Sequence, residues 1–389
     1  MKKPNKHFYS ISSALIITLL LIFFSQRIPF INYLNWQVYD RLARIKCKFT
    51  PPPPEIGEIL LVTIDNETLH TMPQRWPYPR KAYADAICNL KRAGAKVVAF
   101  DMAFLGNTVP EDDASLCRAL KDYPGIVMAD AINENGELEG SNIDGLAAQI
   151  PSGFTTKAQD KDDVIRRSLT YLINEKNSNK AYLSWGMQIL RFASGADLST
   201  LRDRGRVVTF KNIYGRRWSI PVDKETKSFL INFAANTVNF KRLSFYRAVS
   251  GDFDKNIPKG KVCLVGFTSV LLQDLHNTAI GWLPGLTLNA NAFLTLYSRN
   301  FLTETPDWFN WLIAIFAVLL IAVAARNLTR NQAAFCAGLL VIIFFLAAYL
   351  LLVAGFVLNF VLLPLAVVFY LILARKLEEV LGRLEDKLS

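Results

Sequence analysis

The hydrophobic and polar positions of the chain form two patterns. Long apolar stretches almost free of charge lie near the N-terminus and in the C-terminal part of the chain, and short apolar runs separated by polar turns fill the region between them. A helix that spans a bilayer needs about 20 apolar residues, whereas a buried strand needs only about four to eight. The pattern therefore predicts a folded α/β region held between membrane spans.

The folded pattern is clearest over residues 58–104. Residues 59–64 are almost wholly apolar and are followed by Asp65, and a second apolar run, residues 96–100, is followed by Asp101. Continuous apolar strands are typical of parallel sheets that helices cover on both faces. We therefore expect both aspartates at the carboxyl edge of neighbouring parallel strands, which is where open α/β sheets bind ligands.

Strands and helices continue to alternate up to about residue 300. The further predicted strands are residues 125–130, 168–173, 207–210, 229–233 and 261–266, and the further predicted helices are residues 112–121, 181–192, 245–250 and 286–297. This alternation predicts one α/β domain with a mostly parallel sheet.

Four α-helical transmembrane spans are predicted, one before the α/β domain and three after it. Residues 333–374 carry no charge, and as one helix they would extend about 63 Å, about twice the hydrocarbon core of a bilayer, so they are predicted to fold back near Gly355. The N-terminal stretch is interpreted as an uncleaved signal anchor, because no small-x-small cleavage site follows it. Four spans place both termini on one side, and the basic residues beside the spans favour the cytoplasm.

The predicted division of the chain follows from these spans. It consists of a cytoplasmic head at residues 1–8, a first span at 9–28, an extracytoplasmic domain at 29–305, further spans at 308–325, 333–354 and 356–374, and a cytoplasmic stub at 375–389. The domain begins with an amphipathic stalk that ends at the prolines of residues 51–54, which cannot continue a helix. Leucines of the stub follow the alternating spacing of a coiled coil, and a solvated amphipathic helix is the alternative.

Composition and charge exclude several function classes. The formal net charge is +11, but the cations are dispersed or flank apolar runs, so no nucleic-acid partner is predicted. The five cysteines are scattered without a CxxC pair, which argues against a thiolate metal site. No metal and no cofactor is predicted.

No catalytic motif accompanies the α/β pattern. The Gly260-Lys261 dipeptide lacks the glycine spacing and the following Ser or Thr of a phosphate-binding loop. The kinase signature set, GxSxG and HExxH are also missing. The expectation is therefore that the chain is not an enzyme, and the short cytoplasmic stub is not expected to hold a kinase, cyclase or phosphodiesterase.

Polar residues near the expected sheet edge, and in the loops beside it, are the candidates for a ligand site. The candidate ligand-binding residues are Asp65, Trp76, Arg80, Asp101, Arg166, Asp274, His276, Asn289 and Asn291. No catalytic residue is predicted among them, because the single Asp-x-His spacing of residues 274–276 is weak support for an acid–base or metal pair.

Each candidate also has a structural interpretation. An aspartate that follows a strand often caps the next helix, and the acids can also pair with Arg80, Arg166 or Arg167. Trp76 begins a rigid loop of aromatic residues and prolines, residues 76–79, just before Arg80. This loop can cover the core instead of recognising a ligand. The two asparagines can serve helix packing.

A set of segments taken together resembles the CHASE2 domain. The segments are Asp40-Arg41, ILLVTID at 59–65, RWPYPR at 75–80, RAGAKVVAFDMAF at 92–104, DDVIRR at 162–167, FLINF at 229–233, GKVCLVGF at 260–267, DLHNTAIG at 274–281 and PGLTLNANAF at 284–293. The resemblance covers residues 35–300 and the three spans that follow, as in that family. It implies an extracytoplasmic sensor module of bacterial receptors, which is usually joined to a cyclase, a Ser/Thr kinase or a histidine kinase. The chain departs from the family in lacking such an output domain, and residues 131–160 and 195–227 match only loosely.

The resemblance and the spans together predict a sensor in a bacterial inner membrane. We expect the extracytoplasmic domain to bind an unassigned small molecule or ion and to relay this binding through the bilayer, within a homodimer or to a separate cytoplasmic kinase or cyclase. Two alternatives remain open at this point. One is an extracytoplasmic enzyme that uses Asp65, Asp101, Asp274 and His276, and the other is a membrane scaffold that senses nothing.

Overall fold

The computed structural model describes residues 6–25, 27–134, 137–143, 150–174, 180–269, 274–325 and 328–388. The chain divides into two compact units, Cys47–Leu302 and Met1–Lys46 with Thr303–Ser389. The first unit contains the sheets and the helices that cover them, which confirms the α/β class. The second unit is largely helical.

Helices are numbered in chain order. Their bounds are α1 Lys6–Ser25, α2 Pro29–Phe49, α3 Asn66–Thr71, α4 Arg80–Arg92, α5 Pro110–Asp122, α6 Trp185–Ser194, α7 Phe245–Ser250, α8 Gly285–Ser298, α9 Asp307–Ala324, α10 Arg330–Val353 and α11 Leu362–Leu388.

Strands are numbered in the same way. Their bounds are β1 Ile59–Ile64, β2 Val97–Phe100, β3 Ile126–Ile132, β4 Leu138–Glu139, β5 Ser152–Phe154, β6 Lys157–Gln159, β7 Ile165–Leu169, β8 Tyr171–Asn174, β9 Lys180–Leu183, β10 Ala196–Asp203, β11 Val207–Asn212, β12 Arg217–Pro221, β13 Ser228–Leu230, β14 Lys241–Ser244, β15 Val262–Phe267, β16 Leu275–Thr278, β17 Gly281–Pro284, β18 Thr303–Glu304 and β19 Phe356–Val357.

The largest sheet has the order β14-β1-β15-β2-β3-β4, with β5 also beside β3. Its pairs are parallel except for β3 with β4, which is antiparallel. Antiparallel pairing dominates the smaller sheets, β10-β11-β12, β8-β9 and β13-β7-β16-β17 with β6. The unit is therefore a mixed α/β fold in which most parallel pairs are in the largest sheet, and β16 with β7 is a parallel pair of another sheet.

Helices cover both faces of the largest sheet. On one face, Val62 and Phe100 share a core with Leu90 of α4, Leu116 of α5 and Phe245 of α7. On the other face lie α6 and α8. Every residue of β1 and β2 is buried. Strands with two covered faces have no solvent side, and this is why the sequence here is continuously apolar rather than alternating.

Several predicted elements differ from the observed ones in type or bounds. The helix predicted at residues 181–192 begins only at Trp185, because the residues before it form β9 and pair with β8. The strand predicted at residues 168–173 is divided between β7 and β8. Tertiary pairing decides these short segments, since their apolar content fits either a helix or a strand.

The second unit contains two helices that are long and apolar enough to cross a membrane, Asp307–Ala324 and Asn331–Val353. The helices Ile11–Ser25 and Pro29–Phe49 form a bent pair with an angle of 88° between them. If this pair is counted as one span, it is the third. The apolar part of α11, Leu362–Ala374, is shorter. Among the described residues the finding is thus two or three spans by length and composition, against the four that were predicted.

The last predicted span, residues 356–374, is helical only from Leu362 onward. Before it, β19 pairs with β18 in parallel, with Thr303 opposite Phe356. From Leu362 the helix runs without interruption to Leu388. The side chains of the stub leucines at 377, 381, 384 and 388, and the cationic positions 2, 3 and 326, lie outside the described residues.

Candidate functional site

The carboxyl end of β2 brings Asp101 next to helix α8. The Asp101 backbone N–H donates to the carbonyl of Val265 on the neighbouring strand at 2.8 Å, so the aspartate lies directly after β2 and beside the last residues of β15. The Asn289 amide of α8 donates through Nδ2 to Asp101 Oδ2 at 2.7 Å. Gly266 makes this approach possible, because a Cβ there would lie 3.1 Å from both Asp101 Cβ and Leu286 Cδ1.

Asp274 and His276 lie beside the N-terminus of the same helix. His276 Nε2 is 3.0 Å from Asp274 Oδ1, and the side chains are 40% and 35% exposed, respectively. The hairpin of β16 and β17 leads directly into α8, and the Gly285 N–H donates to the Asp274 carbonyl at 3.0 Å. A Cβ at Gly285 would overlap the Asp274 carboxylate, so the carboxylate packs against the first turn of the helix.

Lys157 on β6 completes the site, and the sequence analysis missed it. Its Nζ donates to the Thr155 carbonyl at 2.7 Å. Burial lowers the pKa of Lys157 to about 8, against the opposing effect of the negative charges of Asp101 and Asp274. No local signal marks this lysine, because the effect of the Asp101 and Asp274 charges on it arises only in the folded chain.

Burial also controls the protonation of Asp101. It raises the pKa of the Asp101 carboxyl, as does the charge of Asp274, while the Asn289 hydrogen bond and the charges of Lys157 and His276 act in the opposite direction. A buried charged group loses water, and the ionised form is penalised unless partners replace that water. The five residues Asp101, Lys157, Asp274, His276 and Asn289 are called the strand-edge cluster below.

Asp65, the other predicted strand-end acid, caps a helix. Its Oδ1 accepts the Thr68 N–H at 3.0 Å at the start of α3, and it also accepts the Ser244 hydroxyl at 3.0 Å. The Thr63 hydroxyl donates to Oδ2 at 2.8 Å. These contacts are the helix-capping alternative of the sequence analysis, in which an aspartate satisfies N–H groups that the helix leaves open.

Arg80 and Arg166 are buried arginines that each pair with aspartate carboxylates. Arg80 at the start of α4 pairs with Asp113 at 2.7 Å. Arg166, which has no exposed side-chain surface, pairs with Asp160 and Asp162, each at 2.7 Å. Both guanidiniums thus tie loops to the fold.

Asn291 is fully buried in the second turn of α8. Its side-chain oxygen accepts the N–H groups of Ala234 and Ala235 at 3.1 and 3.2 Å, and its Nδ2 donates to the carbonyls of Ala235 and Thr287 at 2.9 Å each. The amide therefore holds the extended segment after β13 against the helix. Asn289 and Asn291, two residues apart, face different surroundings.

Trp76 lies over the end of β15. Its ring meets the ring of Phe267 edge to face at 4.8 Å between centroids, and that of Tyr78 at 5.6 Å. Trp76 keeps 38% of its surface exposed. Burial raises the pKa of the Tyr78 hydroxyl, with a smaller contribution from the charge of Asp65. The loop therefore covers part of the same sheet edge and leaves one aromatic surface open.

The strand-edge cluster has the chemistry of a polar binding site. It presents two carboxylates, one ammonium, one imidazole and one amide, and the Asp274–His276 pair is partly exposed. In the described residues no group of three or more His, Cys, Asp or Glu side chains has the arrangement of a metal site. The arrangement can hold a ligand by charge and hydrogen bonds.

Comparison with known proteins gives one family. The family model described as the CHASE2 domain matches residues 14–324. Neither the curated proteins nor the solved structures give a match to the chain.

Proposed function

Since the chain belongs to the CHASE2 domain family, whose members are extracytoplasmic sensor domains of signalling receptors, we propose that it is a sensor of a bacterial inner membrane. In this proposal the unit Cys47–Leu302 faces the extracytoplasmic side and detects a small molecule or ion, and the second unit relays the detection across the bilayer. The observation that carries the proposal is the strand-edge cluster, because desolvated charges at the carboxyl end of parallel strands are typical of a ligand site.

The second unit is proposed to cross the membrane four times, through α1, α9, α10 and the apolar part of α11. Exposed apolar side chains on these helices support lipid contact, among them Leu19 at 56%, Phe316 at 70% and Ile342 at 66%. The β18–β19 pair supports the direction of the spans. This pairing requires the start of α9 and the junction of α10 with α11 to lie at the same membrane face. The requirement is met when α9, α10 and α11 cross the bilayer in alternating directions.

Non-helical backbone near a membrane must find its hydrogen bonds within the protein. Around the α10–α11 junction these bonds come from asparagines, since Asn310 Oδ1 accepts the Asn359 N–H at 2.9 Å and Asn35 Oδ1 accepts the Phe360 N–H at 2.7 Å. Asn35 belongs to α2, so the start of α2 lies at the same face as the junction. This supports an N-terminus on the opposite face, together with the C-terminus of α11, and both termini are proposed to be cytoplasmic.

Helix α11 is proposed to carry the signal. It is one helix from Leu362 to Leu388, so a displacement at its start is transmitted to the stub without a break. The receiver is proposed to be a second copy of the chain or a separate cytoplasmic kinase or cyclase. A ligand shifts such a relay only through its different affinity for the two states.

The test uses the full chain purified in detergent micelles. Thermal unfolding is followed while a panel of small metabolites and ions is added one at a time, and at least one compound should raise the midpoint. The rise should be lost in the double variant Asp101→Asn with Lys157→Gln and retained in the matched control Asp122→Asn with Lys161→Gln, which changes exposed residues of the same types. No rise with any compound contradicts the sensor and favours the scaffold. Chemical turnover of a bound compound would favour the enzyme, for which the Asp274–His276 contact is the supporting observation.

A further inference from the structure

The apex of the β11–β12 hairpin exposes two large apolar side chains. Ile213 is 70% exposed and Tyr214 is 82% exposed, the highest value among the exposed large apolar side chains of the described residues. Hydrogen bonds hold the loop in place. Asn212 Oδ1 accepts the N–H groups of Tyr214 at 3.1 Å and Arg216 at 2.8 Å, and the Ile213 N–H donates to the Gly195 carbonyl at 2.8 Å. The exposure therefore belongs to a loop with a defined conformation.

Cations flank this apex on both strands. From residue 204 to residue 222 the chain has five Lys or Arg residues, all exposed, and no Asp or Glu. Lys211 on β11 lies directly opposite Arg217 on β12, and Arg216 comes just before Arg217. The ion pairs found among the described residues include none of these three cations.

The opposition of Lys211 and Arg217 is unfavourable for the hairpin, because like charges directly opposite each other destabilise an antiparallel pair. On its other side, Lys211 lies opposite Asp197 of β10, whose carboxylate accepts the Ser199 hydroxyl at 2.6 Å. Arg217 lies on β12, which is an edge strand of this sheet. The apex thus carries a local excess of positive charge that an anionic partner would neutralise.

We propose that the apex of the β11–β12 hairpin docks on an anionic phospholipid surface. Ile213 and Tyr214 enter the headgroup layer, and Lys211, Arg216 and Arg217 lie against the lipid phosphates. This surface is separate from the strand-edge cluster. The inference rests on the proposed membrane setting and goes beyond the proposed sensing of a ligand.

The order of side chains around the turn fits a lipid surface. Aromatic residues such as tyrosine are enriched at the headgroup level of membranes, and Lys and Arg are attracted to anionic leaflets. The hairpin places the apolar residues at its apex and the cations on both of its strands, so both groups meet their preferred layer together. A soluble phosphate would pair with the cations and leave Ile213 and Tyr214 in water.

The connectivity of the chain supplies such a surface. The unit Cys47–Leu302 is joined at both ends to the second unit, which contains the helices that are long and apolar enough to cross a membrane. A tether raises the effective concentration of a binding partner, so even weak contacts with lipid become populated.

The test is photo-crosslinking of the full chain in lipid nanodiscs. The photoreactive residue p-benzoylphenylalanine replaces Tyr214, and the discs contain either phosphatidylcholine alone or equal parts of phosphatidylcholine and phosphatidylglycerol. Mass spectrometry should find lipid adducts at position 214 in the mixed discs, with phosphatidylglycerol over-represented. The control carries the same residue in place of Leu105, which is 61% exposed and precedes the acidic first turn of α5, and should form no lipid adduct.

Removing the cations tests the role of charge. Each cation near an anionic leaflet contributes about fivefold to binding, or about 1 kcal/mol, so removing three should shift the docking equilibrium about a hundredfold and abolish the adduct. The unfolding midpoint should not fall, since the change also removes like charges that face each other. A loss of adduct is therefore not a loss of fold. The variant is Lys211→Gln with Arg216→Gln and Arg217→Gln, and the matched control, at exposed positions that should keep the adduct, is Arg92→Gln with Arg118→Gln and Lys161→Gln.

Four results would overturn the inference. They are the absence of a lipid adduct at position 214, an equal adduct at position 105, an adduct to a second copy of the chain instead of lipid, and an adduct that the triple variant does not reduce. The sensor proposal is judged separately, by the ligand-induced rise of the unfolding midpoint. A chain that shows this rise but forms no lipid adduct rejects the docking surface alone.

Discussion

Replacing Arg80 by Met should destabilise the unit Cys47–Leu302 strongly without any ligand present. The Arg80 side chain is 6% exposed and that of Asp113 is 11% exposed, and their ion pair is 2.7 Å long. The guanidinium also donates to the carbonyls of Leu105 and Gly106. The substitution therefore leaves a buried carboxylate without its counter-charge and two carbonyls without a donor.

Breaking a buried ion pair by removing one partner costs about 3–5 kcal/mol. For a domain of this size each kcal/mol lowers the unfolding midpoint by about 2–4 °C, so a fall of about 10 °C is expected. The assay is thermal unfolding of the full chain in micelles at neutral pH, followed by tryptophan fluorescence. The control is Lys81→Met on the next residue of α4, where an exposed pair with Asp85 at 3.5 Å should contribute less than about 1 kcal/mol.

The dependence on pH separates charge from packing. Burial alone would raise the pKa of Asp113, but hydrogen bonds from Thr108 and Arg80 outweigh it and hold that pKa below its usual value. The stabilisation from a carboxyl with a lowered pKa is present above its unfolded pKa of about 3.9 and is lost as the pH falls through the folded pKa. In Arg80→Met the pKa should rise instead, so the difference in stability between the variant and the parent should narrow towards pH 4.

A second substitution completes the assay. Adding Asp113→Asn to Arg80→Met removes the unpaired charge and should restore about 1–3 kcal/mol. If Arg80→Met changes the free energy of unfolding no more than Lys81→Met does, or if the double variant restores nothing, Arg80 does not have the structural role inferred from its contacts. Arg80 would then return to the candidates for ligand binding.

Three further predictions concern the site and its supports. Gly285→Ala should displace the Asp274 carboxylate, because a Cβ at position 285 overlaps it. The affinity for any ligand that raises the unfolding midpoint of the parent should therefore fall by about tenfold or more. Asn291→Leu should lower the free energy of unfolding by about 2–4 kcal/mol, measured by denaturant unfolding, because it leaves buried backbone N–H groups unsatisfied. Burial lowers the pKa of Lys157 to about 8 in the folded protein, below the unfolded value of about 10.4, so the unfolded state binds more protons between these values and Lys157 should add stability as the pH rises over that interval. Lys157→Gln should make this rise smaller.

Each of these predictions has a control or a contradicting result. Gly57→Ala meets nothing within 4 Å and should leave ligand binding unchanged. An Asn291→Leu variant as stable as the parent would show that water replaces the lost bonds. A stability profile of Lys157→Gln that rises as steeply as that of the parent between about pH 8 and 10.4 would contradict a lowered pKa of Lys157.

The sequence predicted best those parts of the fold in which a strand is buried on both of its faces. Residues 59–64 and 97–100 could be placed because a strand covered on both faces is apolar throughout. The expectation that these two strands are neighbours was wrong, because β15, which comes much later in the chain, lies between them. The small antiparallel sheet β10-β11-β12 could not be predicted as a whole, because two of its three strands are short of apolar residues and exposed in part.

The candidate site was predicted in part for a similar reason. Four of its five residues could be selected as candidates from their positions near predicted strands or on helix α8. They are Asp101, Asp274, His276 and Asn289, and in the structure they lie at the same sheet edge. Lys157 could not be found, because it is one lysine in a polar segment and gains its importance only from burial. Whether a polar residue holds the fold or a ligand, as for Asn289 and Asn291, depends on neighbours that the sequence does not specify.

The pairing of β18 with β19 restricts how the second unit can move. Thr303 is bonded to the backbone of Gly355 at 2.8 Å and Thr305 to that of Val357 at 2.9 Å, and Asn310 of α9 reaches Asn359 just before α11. The first turns of α9 and α11 therefore cannot slide past each other without breaking these bonds. A pull on the chain at Thr303 therefore acts on both helices, because these bonds join the start of α9 to the segment just before α11.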